Sequence, residues 1–478
     1  MSDLLSARYD AIPYRHGAIP HSHPARIGAI ARLLGMPSAG PERCRVLELG
    51  CAEGMNLLPL AERLPRADFT GVDISPKQIA TAESARVACG LGNARFIHAD
   101  LREFEPEASA FDYVIAHGVY SWVPDDVKER LLAVCARALA SGGVAYVSYN
   151  TLPGWGLLGG MRKFLLAETA REPEPAAQLD HAERVLGVLA QCVAQQPGAY
   201  AAQLREAVAD MLRKPPALFF HDELSAVNDP CTFLDFTAHA ARHGFHFLAE
   251  AHFASLPFEH VPAPVRDALA ELDLDFLRAQ QFMDVLFQRW LRSSLLCLDS
   301  PPPARTLDPQ NIRDCAIGLR MRPAASSVNL KAGVPLRMLG PNDIALDFDE
   351  PEMKAFLSAL AQAAPARVPF SEAVENANRF LRQVGLAPIE NDGAIRGEMC
   401  RLFAMDALDL VLAGEGDWLR PAIPRAPSAL MRHQARYDFP LTNRWHERID
   451  LTPDGRRSLA DPSQPIHEAA LHQAGLLA

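Results

Sequence analysis

Lysine is scarce in this chain: six of its 47 basic residues are lysine (Lys77, Lys128, Lys163, Lys214, Lys331 and Lys354) and the rest are arginine. An excess of positive charge is missing too. The formal net charge is −11 and the pI near 5.8, which argues against a protein whose main task is gripping phosphate backbones. No two of the nine cysteines have CxxC spacing, so neither a zinc ribbon nor a disulfide framework is supported. No apolar stretch approaches the ~20 residues of a membrane span, and MSDLLSARYD lacks the basic-then-apolar pattern of a secretory signal. Internal repeats and long low-complexity tracts are absent as well. The expectation is a reduced, cytoplasmic protein that neither inserts into membranes nor binds nucleic acid.

What remains is ordinary globular material, 49% apolar and 22% charged. At 478 residues the chain is too long for one compact core, and two or three domains are expected.

The densest information lies at Cys44 to Asp73, reading CRVLELGCAEG, a helix-length stretch, then FTGVD. An apolar strand runs into a turn carrying Gly50 and Gly54, and a second strand ends on Asp73, 19 residues after Gly54. Such a turn brings bare backbone against a nucleotide-like ligand, and the carboxylate at the next strand end accepts ribose hydroxyls. A dinucleotide fingerprint needs glycine at the first, third and sixth positions; here these are Gly50, Ala52 and Met55. An S-adenosylmethionine site takes an acidic residue two before the first glycine, then glycines at alternate positions. Glu48, Gly50 and Gly54 fit that pattern, with Ala52 in the middle glycine's place. The bland alternative is a tight strand-to-helix turn that needs glycine whatever it binds.

Strand-like runs at 45–50, 69–73, 94–99, 111–116 and 143–149 alternate with helix-like runs at 55–64, 76–90 and 124–140. That alternation predicts a parallel sheet covered on both faces. Residues 157–240 read as mainly helical, and strand-like runs return at 245–251 and 293–298 to complete the sheet. Prolines 301–303 and Pro309 mark a linker. Short strands are expected over 312–350 and helices over 351–363, 370–384 and 394–413, a pattern compatible with a winged helix. The fold class is therefore α/β: a doubly wound, seven-stranded Rossmann-like sheet with a helical insertion and a C-terminal α+β, winged-helix-like domain. The expected units are 1–156 (core with N-terminal lid), 157–243 (helical insertion), 244–305 (completion of the sheet) and 306–478 (accessory domain).

Right-handed crossovers put every strand C-terminus on one edge. Polar or aromatic residues stand just past each: Glu48, Gly50, Cys51 and Gly54; Asp73; Asp100; His117, Gly118, Tyr120 and Trp122; Asn150 and Trp155. Each also has a structural reading. Asp100 would cap a turn, His117 would be a core histidine, Tyr120 and Trp122 would be packing residues, and Asn150 a turn former.

The chain resembles bacterial class I methyltransferases that carry a methyltransferase regulatory domain, a group including the rickettsial outer-membrane-protein lysine methyltransferases. YDAIPYRHGAIPHSHP, CRVLELGCAEGMNLLPLA, VDISPKQIA, FDYVIAHGVYSWVP and GVAYVSYNTLPGW carry the resemblance over 9–156. HDELSAVNDPCTF and HGFHFLAEAHF carry it over 218–298, LTNRWHERIDLTPDGRRSLA resembles the C-terminal region, and 305–430 is looser. The resemblance implies S-adenosylmethionine as methyl donor. It places Gly50, Cys51, Ala52, Gly54, Asn56, Asp73, Gln78, Asp100, His117 and Gly118 near the cofactor, together with Glu48 and the neighbours Ile74 and Leu101. Tyr9, Tyr14 and His23 would fold over the site as a lid, with Tyr14 touching the cofactor.

A sulfonium carries its own leaving group, so no metal is expected. The enzyme has to align a neutral nucleophile with the methyl group and exclude water. Tyr120, Trp122, Tyr149 and Trp155 would wall an apolar acceptor pocket that lowers an amine's pKa, with Asn150 beside them. Three functions compete: methylation of a protein or peptide at lysine, methylation of a small molecule or peptide natural product, and a non-catalytic cofactor-binding partner.

Overall fold

The computed structural model describes residues 12, 16–255, 263–298, 304–341, 343–415, 417–419 and 427–460. Its centre is a seven-stranded sheet in the order β3-β2-β1-β4-β5-β7-β6. The strands are β1 (Arg45–Leu49), β2 (Asp68–Asp73), β3 (Ala94–His98), β4 (Phe111–Ala116), β5 (Leu139–Asn150), β6 (His246–Glu250) and β7 (Leu291–Cys297). Neighbours among the first five run parallel, and β7 is antiparallel to both β5 and β6. The central strands are almost wholly buried because helices cover both faces, whereas edge strand β3 is half exposed. Chain order reverses between β1 and β4, so the crevice opens beyond the C-terminal ends of those strands.

Local sequence explains the element ends. Ser75 accepts a hydrogen bond from Gln78 N at 3.1 Å and Pro76 follows it, starting the helix Pro76–Ala88 with a side-chain cap. Strand β5 begins four residues before the expected 143, directly after the helix Asp125–Ala138. Its register with β4 shifts between Phe111 and Tyr113, and Gly142 there has φ +75°. A Cβ at Gly142 would lie 2.2 Å from the carbonyl oxygen of Pro37, so the early start depends on glycine.

Helices Trp155–Thr169, Pro175–Val193, Ala199–Arg213, Pro216–Glu223 and Phe233–Arg242 stand between β5 and β6. Beyond the sheet, β8 (Cys315–Leu319) is the middle strand of an antiparallel trio with β9 (Val368–Pro369) and β10 (Leu408–Leu412). The helix expected over 394–413 is corrected here. Helix Gly393–Ala404 stops, Asp406 takes φ +59°, and Leu408–Leu412 continues as a buried strand. A short apolar run such as LDLVL suits a helix or a strand equally; the left-handed residue before it decides.

The C-terminal region is bound to the first half of the chain through buried groups. Arg26 and Arg367 reach Asp409 at 2.5 and 2.6 Å, with all three side chains at most 9% exposed. Burial alone would raise the Asp409 carboxyl; Arg26, Arg367 and Arg320 more than offset it and hold it below its ordinary range. The imidazole of His23 stacks on Trp418, and Glu62 accepts a hydrogen bond from Ser428.

Candidate functional site

A cavity of about 940 Å³ opens past the ends of β1, β2 and β4, a size that suits a drug-sized or nucleoside-sized ligand. Its first wall consists of strand-end residues. Glu48, Gly50, Ala52, Asp73, Ile74, Gln78, Asp100, Leu101, His117 and Gly118 all line it.

The turn after β1 is tightly specified. Gly50 and Gly54 have φ +76° and +73°. A Cβ on Gly54 would meet the Phe96 ring at 2.6 Å. Ala52 also sits in the left-handed region, at φ +46°, which costs an L-residue about 1–2 kcal/mol. That conformation explains why glycine suits this position and why alanine is tolerated at a cost. The amide of Ala52 donates to Asp73 Oδ2 at 2.8 Å while Ser75 N donates to Oδ1 at 2.9 Å. Asp73 thus ties the turn to the end of β2. Its carboxyl is raised by burial, against the pull of these amides.

Glu48 is buried, and burial pushes its carboxyl up to about 8, opposed by the hydrogen bond from Asn56. Its Oε1 accepts from Asn56 Nδ2 at 2.8 Å; its Oε2 is buried with no hydrogen-bond partner. Gln78 Nε2 is likewise buried and without a hydrogen bond. A buried carboxyl with one unmatched oxygen and a buried unmatched amide donor on one cavity wall fit a ligand carrying both hydroxyls and acceptors, as the ribose and adenine of S-adenosylmethionine do. Asp100 holds the backbone N–H of Arg102 at 2.9 Å, so it shapes its turn as well as facing the cavity. His117 shares a hydrogen bond between Nδ1 and the Tyr146 hydroxyl at 3.0 Å. Burial, then the neighbouring His16, lowers its pKa to about 4 and keeps the ring neutral at pH 7.

Other expected residues lie outside the lining. Cys51 packs against Gly71 of β2, and Gly54 against Phe96. Asn56 is a buried junction: its Oδ1 accepts from Ile19 N at 2.9 Å and bonds His446 Nε2 at 2.8 Å. Of the residues expected to face the acceptor, Trp122 alone lines the cavity. Tyr120 is buried with its hydroxyl bonded to His239 Nδ1 at 2.7 Å. Tyr149 is buried and stacks on Phe236 at 3.8 Å. Asn150 Nδ2 donates to Asn228 Oδ1 at 3.3 Å, and Trp155 packs edge-on against Trp122 at 6.0 Å. These four are corrected from direct walls to supports. The chain after β5 turns under the inserted helices, so its strand end is covered by protein instead of opening on the crevice. Tyr9 and Tyr14 lie outside the described residues. His23 does not line the cavity: it caps helix Pro24–Leu33, accepting from Ala25 N. The neighbouring segment His16–Ile19 does line it, and the carbonyl of Ile12 bonds His221.

The second wall was missed by strand-end reasoning. It comprises Pro215, Leu218, His221, Asp222 and Val227 from around helix Pro216–Glu223, and Asp438, Pro440, Arg448, Asp450 and Arg456 from the C-terminal region. The available signal was at segment level, in HDELSAVNDP and LTNRWHERID, and it named no lining residue.

Two separate stretches of the chain match models of known families. A methyltransferase domain matches residues 46–143 and a predicted methyltransferase regulatory domain matches 215–298. The uncharacterized protein RP789 of Rickettsia prowazekii is 28% identical over 457 residues, 93% of this chain and 81% of its own length. A trans-aconitate 2-methyltransferase of Variovorax paradoxus is 38% identical over 104 residues, 22% of this chain and 38% of its own. The structure of PKMT2 from Rickettsia typhi, also determined in complex with AdoHcy, superposes with a TM-score of 0.79 at 23% identity. That likeness covers 94% of this chain and 88% of the other, and it establishes the fold. With the glycine turn, the strand-end carboxylates and the matched domain in one place, the chain is an S-adenosylmethionine-dependent methyltransferase whose residues 215–298 match a predicted methyltransferase regulatory domain.

Proposed function

We propose that this enzyme transfers methyl groups to lysine amines of a protein substrate. The observation that carries this reading is the second cavity wall. Its residues come from an inserted helix and a C-terminal region, and together they offer far more contact surface than a small acceptor requires. Carboxylates Asp222, Asp438 and Asp450 lie along it, each already paired with a basic side chain (Lys214, Arg456 and Arg448), so the wall accepts cationic groups beside its carboxylates. Trp122 supplies an aromatic surface, and the Arg162 guanidinium already lies 5.7 Å from its ring centroid. A cation on that ring is therefore compatible with its surroundings. The resemblance of the sequence to rickettsial outer-membrane-protein lysine methyltransferases supports the same acceptor.

S-adenosylmethionine supplies an electrophilic methyl group and its own leaving group. We assign Asp73 and Glu48 to hydroxyl recognition, Asp100, Leu101 and Gln78 to the base, and His117 and Gly118 to the methionine end. The chain's part is to hold the amine in line with the methyl carbon at about 3 Å and keep water out. The apolar rim formed by Val119, Trp122, Val123 and Val127 disfavours the charged ammonium and so releases the lone pair. The N–C bond forms as the S–C bond breaks, and the amine proton leaves to solvent. No residue is required as an obligatory base. We further propose that the inserted helices up to Leu224 act as a unit of their own, since Met161 to Leu224 contribute a hydrophobic cluster separate from the main core, whereas Phe233, Phe236 and Ala240 of the remainder of 157–243 belong to that core.

A second reading has its own support. Arg448 and Arg456 line the same wall, and guanidinium groups suit a carboxylate-bearing small acceptor. The local similarity to a trans-aconitate 2-methyltransferase points the same way. A bacterial lysate treated with the enzyme and labelled cofactor separates the two readings. Intact-protein mass spectrometry should find label in the protein fraction; label confined to the small-molecule fraction would replace the lysine reading with the second.

A further inference from the structure

Outside the methyl-transfer cavity, three side chains with metal-ligating atoms converge where the two matched domains meet. Glu129 belongs to helix Asp125–Ala138; His239 and His243 lie four residues apart at the end of helix Phe233–Arg242, His243 being its C-cap. That spacing puts both imidazoles on one helix face. Glu129 Oε2 is 2.8 Å from His239 Nε2, and its Oε1 is 3.0 Å from His243 Nε2. All three ligating atoms lie within 4.8 Å of one another.

Two further observations point to a ligand between them. His243 Nε2 is buried and makes no hydrogen bond, despite its closeness to the carboxylate. His239 is held from behind, its Nδ1 sharing a hydrogen bond of 2.7 Å with the buried Tyr120 hydroxyl. This fixes the ring and leaves Nε2 facing the cluster, the outer contact that ligating histidines usually have. The histidine side chains are 11% and 12% exposed while Glu129 is 56% exposed, so the cluster is walled by protein on one side and reachable from solvent on the other. Arg242 lies 3.8 Å from Glu129 Oε2, but it is 63% exposed and free to swing into solvent as a cation enters.

We propose that Glu129, His239 and His243 form a divalent transition-metal site of the zinc class. Two imidazoles and one carboxylate suit Zn²⁺, leaving at least one position for water. The ion would join the methyltransferase domain to the regulatory segment. Tyr120 stands in the same short turn as Trp122, so occupancy would also steady the acceptor-side rim. This proposal does not depend on the acceptor being lysine.

The test uses the full-length chain, freed of metal by dialysis against chelator and titrated with ZnCl₂ by calorimetry, then with Co²⁺ while following its d–d absorption. One Zn²⁺ per chain and a cobalt spectrum of nitrogen and oxygen ligands are expected. Glu129→Gln and His243→Ala should each weaken binding at least ~100-fold, and Tyr120→Phe, which removes only the outer contact, by about 10–100-fold. Glu129→Gln is an exposed change, so circular dichroism should show an intact fold and keep the comparison valid. Absence of stoichiometric Zn²⁺ binding, unchanged affinity in Glu129→Gln, or thiolate charge-transfer bands from cobalt on cysteine would overturn the assignment.

Discussion

The strand-end wall of the cavity and the wall facing it are built by different rules. The first is made by topology: β1, β2 and β4 end together, and each turn that follows places a polar group within a few residues of its strand. The second is assembled from segments more than 200 residues apart, Pro215–Val227 and Asp438–Arg456, brought together only by tertiary packing. A shared donor asks for the first kind of wall. An acceptor that differs from one enzyme to another asks for the second, which can vary without disturbing the sheet. The two therefore differ in what a substitution should do.

The largest expected effect tests whether the second wall can be loosened alone. Asp409 sits between Arg26 and Arg367, and removing it leaves two buried guanidinium groups without their shared partner. Asp409→Ala should cost about 3–5 kcal/mol of stability in urea unfolding. It should also lower methyl transfer more than cofactor affinity; equal losses in both would mean that the walls are not separable.

The next concerns Glu48 on the first wall. Its folded pKa of about 8 exceeds the ordinary 4.5, so the folded state holds a proton that the unfolded state releases between those values. The associated stability is complete below pH 4.5 and lost as pH rises through 8. Relative to Glu48→Gln, the wild type should lose on the order of 3 kcal/mol between pH 5 and 9. Buried histidines with lowered pKa, such as His117, change stability in the opposite direction, but they are common to both proteins and cancel in the difference. A constant difference across that range would show that Glu48 is ionised in the fold.

Asp73 and Trp122 divide the walls by ligand. Asp73→Ala should weaken S-adenosylmethionine binding about 10–100-fold by calorimetry, as loss of hydrogen bonds to a charged group does. Trp122→Ala should leave that affinity within a factor of about 2 and raise KM for the acceptor about 10-fold. Undiminished cofactor affinity in Asp73→Ala would sink the site assignment.

The smallest effect is at Ala52. Glycine there relieves the φ of +46° but loosens the unfolded chain, for a net gain of about 1 kcal/mol or less. Thermal unfolding of Ala52→Gly should show an equal or higher midpoint; a clear drop would mean that the methyl group packs usefully.

Legibility in the sequence follows the same division. The seven sheet strands are legible because buried strands are continuous apolar runs, most plainly the five parallel ones, and their turns carry glycine, proline and serine. Glu48, Asp73, Asp100 and His117 follow from that frame, since a residue at or just past a strand end has few other places to be, whereas Gln78, inside a helix, follows only from the family resemblance. Tyr149, Asn150 and Trp155 do not face the cavity because the rule assumes an open strand end, and nothing local in SYNTLPGW shows that the inserted helices cover it; Tyr120, after β4, is covered by Phe236 and His239 of helix Phe233–Arg242. Asp222, Arg448 and Arg456 carry no periodic signal and lie far in sequence from the strands of the seven-stranded sheet, so only the folded chain brings them to the cavity. The strand Leu408–Leu412 reads as helix in the sequence because four apolar residues around one Asp do not distinguish the two.

The most direct measurement is the chemical position of the transferred methyl group. Enzyme loaded with labelled S-adenosylmethionine is given a protein extract, and the labelled peptides are sequenced by tandem mass spectrometry. The account predicts methyl groups on lysine Nζ in protein-derived peptides, reduced in Trp122→Ala while cofactor binding persists. Label on another residue type, or only on small molecules, would contradict it.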